Sequence, residues 1–145
     1  AERILAFGTV LEYSTDDGTT WTAIAGLTDV DTPSGTTEEV DATAHDSPGG
    51  YREFIAGLKD PGEVSFEGYY DPNDTSHDGS SGLPSLWASG DVVSWRVRPP
   101  AHGTDSGVEF DGYVSAFQAT FPSDGLMGFT GTIRATGATT FPTAA

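Results

Sequence analysis

Several kinds of residue are absent or scarce in this sequence, and each absence excludes a class of protein. The 145 residues include no cysteine, which excludes disulfide bonds and thiolate metal sites. No stretch approaches the roughly 18 consecutive apolar residues of a membrane-spanning helix, so we predict no membrane association. The length suits one hydrophobic core, and we therefore predict a single domain over residues 1–145.

Cations are scarce as well. Six Lys and Arg residues stand against 22 Asp and Glu residues, for a formal net charge of −16. With so few cations to displace counterions, the chain is not expected to bind nucleic-acid phosphates specifically. The carboxylates suit a surface that must stay clear of DNA, and they are equally typical of a strongly solvated or halophilic protein.

Apolar and polar residues alternate in five segments. The residues predicted to share a buried face are Leu5, Phe7, Thr9 and Leu11; Val64 and Phe66; Val93, Trp95 and Val97; Val108, Phe110 and Val114; and Met127, Phe129 and Ile133. A period of two is typical of half-buried antiparallel strands. Turn sequences such as Asp16-Asp17-Gly18 separate the segments. The sequence therefore predicts an all-β fold, an antiparallel β-sandwich or barrel.

One segment has the spacing of a helix. In "GLPSLWASGD", Leu83, Leu86 and Trp87 fall on one helical face, Pro84 suits the first turn and Gly90 suits the C-terminal end. A helix this short is stabilised by packing. We predict one short α-helix on the flank of the sheet, held there by these three apolar side chains.

Two connections are longer than hairpins require. Thr43 to Lys59 contains apolar side chains that are unfavourable in water, namely Tyr51, Phe54, Ile55 and Leu58, with Arg52 and Glu53 between them. Such a segment needs a partner surface, either in its own domain or on a neighbouring chain. The second connection, Asp71 to Gly82, is polar and acidic.

No catalytic or phosphate-binding motif is present. The histidines are His45, His77 and His102, two of them followed by Asp, and we interpret them as polar loop residues because there is almost no helix to arrange them around a metal. Neither a Gly-x-Ser-x-Gly elbow nor a glycine-rich phosphate loop occurs. The sequence predicts a protein that is not an enzyme and needs no cofactor.

The acidic connection could supply oxygen ligands to calcium. The candidate ligands are Asp71, Asn73, Asp74 and Asp78. Their spacing departs from that of an EF-hand loop, which has a glycine at its sixth position. Turn formation explains these residues equally well, and we predict no metal site.

Aromatic residues leave one binding function open. They are Trp21, Trp87, Trp95, Tyr51, Tyr69, Tyr70 and Tyr113. Together they could line a sugar-binding face, although Trp87 and Trp95 fall on predicted buried faces. A carbohydrate- or ligand-binding β-sandwich module is therefore the alternative interpretation.

The order of the segments resembles a known family. The segments are "WTAIAG" (21–26), "EEVDATAHDSPGGYREFIAGLKDPGEVSFEGYYDP" (38–72), "WASGDVVSWRV" (87–97), "FDGYVSAFQATFP" (110–122) and "FTGTIRATG" (129–137). In this order they resemble the major tail tube protein of long, non-contractile-tailed bacteriophages.

The resemblance implies a structural protein of the virion tail. Such proteins polymerise as stacked, six-membered rings around a tape-measure protein, meet tail completion proteins, and form the tube through which DNA passes. It implies assembly in the host cytoplasm and a tube wall built from strands such as Glu63 to Tyr70. Unpaired strand edges of neighbouring subunits join in such a wall.

Two sets of site residues follow from the resemblance. Tyr51, Arg52, Glu53, Phe54, Ile55 and Leu58 are expected in an inter-subunit loop. Glu39 and Asp41, with Glu63 and Glu67, are expected on the polar face of two adjacent strands that line the lumen.

Overall fold

The computed structural model describes residue 3, residues 5–100 and residues 107–142. Nine strands and one α-helix lie in these ranges: β1 (Val10–Ser14), β2 (Thr22–Ala23), β3 (Leu27–Val30), β4 (Thr36–Asp41), β5 (Phe54–Asp60), β6 (Glu63–Tyr69), α1 (Leu83–Ser89), β7 (Val93–Arg98), β8 (Val108–Thr120) and β9 (Gly128–Thr140). The predicted all-β class with one short helix is confirmed. No helix in the described ranges is long and apolar enough to cross a bilayer.

Seven strands form one antiparallel sheet in the order β2-β1-β7-β8-β9-β6-β3. The two longest strands, β8 and β9, lie at its centre, and their register pairs Gly112 with Ala135 and Thr120 with Gly128. The sheet curls until β1 and β3 come into contact, which encloses the core in a sandwich-like fold. Strands β4 and β5 form a second, two-stranded sheet.

The core follows the predicted alternation along most strands. Its buried side chains include Leu11, Val64, Phe66, Val93, Trp95, Val97, Phe110, Val114, Phe129 and Ile133. Trp95 is fully buried and its indole N–H donates to the carbonyl of Gly112 at 3.0 Å, so its polar atom is satisfied. Because β6 and β7 bury every second residue, as do β8 and β9 over part of their length, the local pattern was enough to identify these positions.

The predicted turn between the first two strands is also confirmed. β1 pairs with β2, and the turn between them places Asp17 and Gly18 at positive φ angles of 58° and 85°. The Ser14 hydroxyl accepts the Gly18 N–H at 2.8 Å and donates to the Asp16 carboxylate at 2.7 Å. These short polar side chains replace the hydrogen bonds that the turn backbone would otherwise lack.

The helix α1 packs less of its surface than predicted. Leu83 and Leu86 are buried and Gly90 ends the helix at φ 69°, as expected, but Trp87 is 54% exposed. A helix of seven residues that lies on the flank of β8 presents only a narrow stripe to the sheet. Leu83 and Leu86 fill that stripe, and Trp87 lies at its border.

Three other residues predicted in the core are exposed. Leu5 and Phe7 are 83% and 93% exposed because β1 begins only at Val10. The residues before it form a turn, in which the Thr9 N–H donates to the carbonyl of Ala6. Met127 is 42% exposed because it precedes β9. The alternation of apolar and polar residues in the sequence therefore continues beyond the ends of the strands.

β1 carries a buried charge that the alternation did not predict. Glu12 is 6% exposed on the face opposite the core, and its Oε1 lies 3.0 Å from Arg96 Nη2 and 3.5 Å from Arg98 Nε. The Arg96 guanidinium in turn lies 4.3 Å from the centre of the Trp21 ring. Two cations compensate the buried carboxylate, and the indole covers one of them.

Candidate functional site

The connection from Thr43 to Lys59 was predicted to be a loop, but its second half belongs to the strand β5. β5 pairs with β4 in a hairpin, with Asp41 opposite Phe54 and Thr36 opposite Asp60. We call residues 36–60 the arm. Every residue of β4 is exposed, and so is every residue of β5 except the half-buried Gly57.

The arm brings the six predicted inter-subunit residues together on one projecting element. Its apolar side chains do not fold back into the core: Tyr51 is 77% exposed, Phe54 49%, Ile55 59% and Leu58 82%. Arg52 lies beside Asp41 of the opposite strand, with 3.9 Å between Nη1 and Oδ2. In the isolated chain these apolar side chains lie outside the core and form an exposed apolar surface, and their inter-subunit role stays a prediction.

The tip of the arm has a defined shape. The Ser47 hydroxyl donates to the Glu53 carboxylate at 2.8 Å and accepts the N–H of Ala44 at 2.9 Å. Across the hairpin, the Glu53 N–H donates to the Thr43 hydroxyl at 2.8 Å. His45 is exposed beside this network. Local hydrogen bonds of this kind hold the tip without help from the core.

At its base the arm is attached to the main sheet. Asp60 Oδ1 accepts the Gly62 N–H at 2.9 Å and the Arg134 Nη2 at 2.9 Å. The hydrogen bond from the Gly62 N–H has the larger effect and the bond from the Arg134 guanidinium the smaller one, and together they hold the pKa of the Asp60 carboxyl below its usual value. Gly62 has a φ of 87°, and a side chain there would collide with the Ser34 carbonyl, so only glycine fits.

A second surface is a concave, acidic groove on the face of the main sheet that is opposite the core. Glu63, Ser65 and Glu67 of β6 point away from the core, as predicted. The groove has a volume of about 480 Å³ between β3, β6, β9 and the second half of β8. We call the carboxylates along this side of the sheet the carboxylate face; they are Asp29, Asp31, Glu63 and Glu67.

The prediction that the strands of Glu39 and Glu63 are adjacent is wrong. Among the described residues, β4 pairs only with β5, whereas β6 lies between β9 and β3 in the other sheet. Glu39 and Asp41 therefore belong to the arm. The neighbours of Glu67 are Asp29 on β3 and Thr130 on β9. The sequence missed Asp29 and Asp31 because β3 has only four residues, too few to show a period.

Two of the unpaired strand edges in the described part of the chain flank the strands β3, β6, β9 and β8. β3 is the last strand of the order and pairs with β6 alone. β7 covers β8 only from Val108 to Gly112, so β8 from Tyr113 to Thr120 pairs with β9 alone. These edges lie on opposite sides of a four-stranded unit, β3-β6-β9-β8. Unpaired backbone of this kind is available to another chain.

The acidic connection after β6 is a series of turns. Asp74 Oδ1 accepts the hydroxyl and the N–H of Ser76, and these bonds lower the pKa of its carboxyl. Asp78 accepts the N–H groups of Ser81 and Ser80, with the same effect on its pKa. Asp71 accepts the N–H of Asn73. In the described ranges, no three His, Asp or Glu side chains are arranged to hold a metal ion.

His77 has a structural position at the centre of this connection. It is 1% exposed, its Nδ1 accepts the Asp71 N–H at 3.0 Å, and its Nε2 donates to the Ala25 carbonyl at 2.7 Å. Its ring stacks on Tyr70 and lies 4.7 Å from Phe129. His77 therefore joins the acidic connection to the core. His102 lies outside the described residues.

The three tryptophans and Tyr51 do not form one binding face. Trp95 is in the core, Trp21 covers the Arg96 guanidinium, and Trp87 is exposed on α1. Tyr51 is on the arm. A sugar-binding platform needs several rings on one exposed surface, and these four lie on separate elements.

The geometry agrees with the comparisons to known proteins. The family model described as lambda phage tail tube protein (TTP) matches residues 8–142. No curated protein matches the sequence. Among solved structures, the chain is similar to the tail of an empty gene transfer agent (GTA) particle, determined with C6 symmetry, at 21% identity and a TM-score of 0.72 over 92% of this chain and 95% of that chain.

Two further structures show the same fold. The first comes from the virion of a native gene transfer agent particle, at 20% identity and a TM-score of 0.71 over 93% of this chain and 95% of that one. The second is the SPP1 tail tube, at 11% identity and a TM-score of 0.63 over 92% of this chain and 77% of that one. At these identities the likeness concerns the fold.

Proposed function

We propose that the chain, which belongs to the lambda phage tail tube protein family, polymerises as stacked six-membered rings into a tube through which DNA passes. Members of this family are structural tail tube proteins, so the chain is a structural protein of the virion tail and not an enzyme. The ring, the tube and the passage of DNA are the proposal. The observation that carries it is the four-stranded unit with an unpaired edge on each side.

The two free edges suit a closed ring. The edge of β3 in one copy pairs with the edge of β8, residues 113–120, in the next copy, which leaves neither of these two edges exposed. Six copies of four strands give roughly 24 strands, and at about 4.8 Å between strands the wall is about 115 Å around and about 37 Å across between backbones. Such a lumen is wide enough for a hydrated DNA duplex. The GTA tail of similar fold was determined with six-fold symmetry.

The carboxylate face lines the lumen in this arrangement. It is concave, and the core lies on the opposite side of the sheet. Arg134 is the one cation on the four strands, and Asp60 compensates its charge at 2.9 Å. A wall with uncompensated Asp29, Asp31, Glu63 and Glu67 repels phosphate within about 8 Å, the Debye length at physiological salt. DNA therefore slides through without specific binding.

The arm makes the contacts between neighbouring subunits. Its apolar side chains lie in solvent in the isolated chain, and burying a comparable side chain contributes about 1.5–3 kcal/mol. A contact surface also explains why the tip has a fixed shape that the core does not require. The remaining partners that we propose are a tape-measure protein in the lumen and tail completion proteins at the ends, with assembly in the host cytoplasm.

Replacing the arm tests this proposal. Thr36 and Asp60 face each other across the hairpin, so a four-residue Gly-Ser linker in place of residues 37–59 closes the gap. We expect a folded chain with an unchanged cooperative melt that no longer forms tubes in negative-stain micrographs. The control is the matched exchange of only Ser47–Gly50 for the same linker, which retains the apolar strand residues. Normal tubes from the armless chain contradict the proposal, and an unfolded chain shows that the arm belongs to the core.

A further inference from the structure

The direction of the arm is determined almost entirely at its base. The strands of the arm are exposed on both faces, and the hydrogen bonds at its tip are internal to it. Among the described residues, the side-chain bond from the arm to a distant part of the sheet is the one between Asp60 and Arg134. A single contact at the base can therefore determine the direction in which the arm points.

The two chain crossings at the base form a pivot. Pro33 is buried before the arm, and the Gly62 O after the arm accepts the Ala135 N–H of β9 at 3.0 Å. Gly62 and Ser34 are in close contact, so the crossings are held against each other. These contacts fix where the arm leaves the body. They hold the arm at one point and do not by themselves prevent the arm from rotating about that point.

We propose that the ion pair of Asp60 and Arg134 is a latch that fixes the direction of the arm relative to the carboxylate face. Arg134 is then a positioning residue for subunit docking, an inference that rests on the proposed function. The side chain projects from β9, two strands into the wall unit, and reaches the last residue of the arm. The latch thus couples the arm to the same sheet that lines the lumen.

The charges around Arg134 select Asp60 as its partner. Glu63 lies directly opposite Arg134 on β6, and Tyr113 lies opposite it on β8. Although Glu63 is near, the Arg134 guanidinium pairs with Asp60 at 2.9 Å. The carboxylate of Asp60 is already oriented by its hydrogen bond from the Gly62 N–H. Lys59, the residue before Asp60 in the arm, carries the same sign of charge as Arg134 and cannot compete with Asp60. Glu63 provides a matched control because it carries the same charge on the same side of the sheet.

The latch is strong enough to bias the arm and too weak to determine the fold. Asp60 and Arg134 are 53% and 36% exposed, and exposed pairs of this kind shift an equilibrium by about two- to five-fold. The strand β5 has seven residues and is about 23 Å long. A rotation of about 10° at its base therefore displaces its far end by about 4 Å, enough to misplace an apolar contact.

Distance measurements between two spin labels test the latch. Because the chain has no cysteine, His45→Cys on the tip of the arm and Ala116→Cys on β8 give two unique labels on exposed positions. The distance distribution is measured by pulsed electron resonance on the unassembled fraction. The variants are Asp60→Asn, which retains the acceptor for Gly62, then Arg134→Gln, both together, and Glu63→Gln as the control.

We expect Asp60→Asn and Arg134→Gln each to broaden the distribution, and the double variant to broaden it no further, since both remove the same pair. Glu63→Gln leaves it unchanged, and melting temperatures stay within a few degrees of the parent. Identical distributions in all variants overturn the latch, as does broadening by Glu63→Gln equal to that by Asp60→Asn. These distances need no ring, so a parent chain that forms no tubes refutes the proposed function and not the latch.

Discussion

Leu58 offers the clearest separation between the fold of one chain and its assembly. Its side chain is 82% exposed on β5, so its substitution should leave the isolated chain almost unchanged, within about 0.5 kcal/mol. Threonine is the substitute of choice because it retains a high propensity for strands while removing apolar surface. If a neighbouring subunit covers Leu58, the apolar contact is lost only in the assembly.

The size of the effect follows from the exposed fraction. Burying a leucine side chain completely contributes about 1.5–3 kcal/mol, and most of this surface is still available in the unassembled chain. We therefore expect Leu58→Thr to weaken each subunit contact by about 1–2 kcal/mol. Since 1.4 kcal/mol corresponds to a factor of ten, the concentration needed for polymerisation should rise about 5- to 30-fold.

The assay combines pelleting of tubes across a concentration series with urea unfolding of the dilute chain. The matched control is Leu11→Ala, because Leu11 is fully buried in the core. It should lower the free energy of unfolding by about 2–5 kcal/mol. A polymerisation threshold for Leu58→Thr within two-fold of the parent would refute the assignment of the arm to a subunit contact.

Three further predictions concern the helix, the lumen and pH. Leu83→Ala should cost about 2–5 kcal/mol in urea unfolding because Leu83 is fully buried, whereas Trp87→Ala should cost less than about 1 kcal/mol; equal losses would contradict the described packing. Glu63→Lys with Glu67→Lys should leave tubes intact but make DNA ejection slow and strongly salt-dependent, and unaltered ejection would place this face outside the lumen. The carboxyl groups whose pKa hydrogen bonds lower are Asp16, Asp41, Asp60, Asp74 and Asp78. Their stabilisation is complete above about pH 4, the unfolded value, and is lost as pH falls through the lower folded values, so the melting temperature should drop below pH 4; an unchanged melting temperature at pH 3 would contradict it.

The sequence was most informative where burial depends on local pattern alone. Val64 and Phe66 alternate with polar residues, and a strand with one face in the core must place them there. The same reasoning failed at Leu5 and Phe7, because alternation does not show where a strand begins. It also failed at Trp87, because the spacing of a seven-residue helix does not determine the width of its contact with the sheet.

The sequence alone did not predict which strands pair with each other. Glu39 and Glu63 lie on segments of the same polar alternation, and only tertiary contacts place their strands in separate sheets. The buried Glu12 was missed for the same reason, since the arginines that compensate it are more than 80 residues away. The inter-subunit and lumen roles of the site residues came from the resemblance, and they remain predictions.

Cryo-electron microscopy of the purified, concentrated chain tests the assembly most directly. We expect six-fold rings that stack into tubes, with β3 of one subunit hydrogen-bonded to residues 113–120 of the next and the carboxylate face toward the lumen. Particles that remain single chains at every concentration would contradict it, and so would tubes in which both of these strand edges stay unpaired.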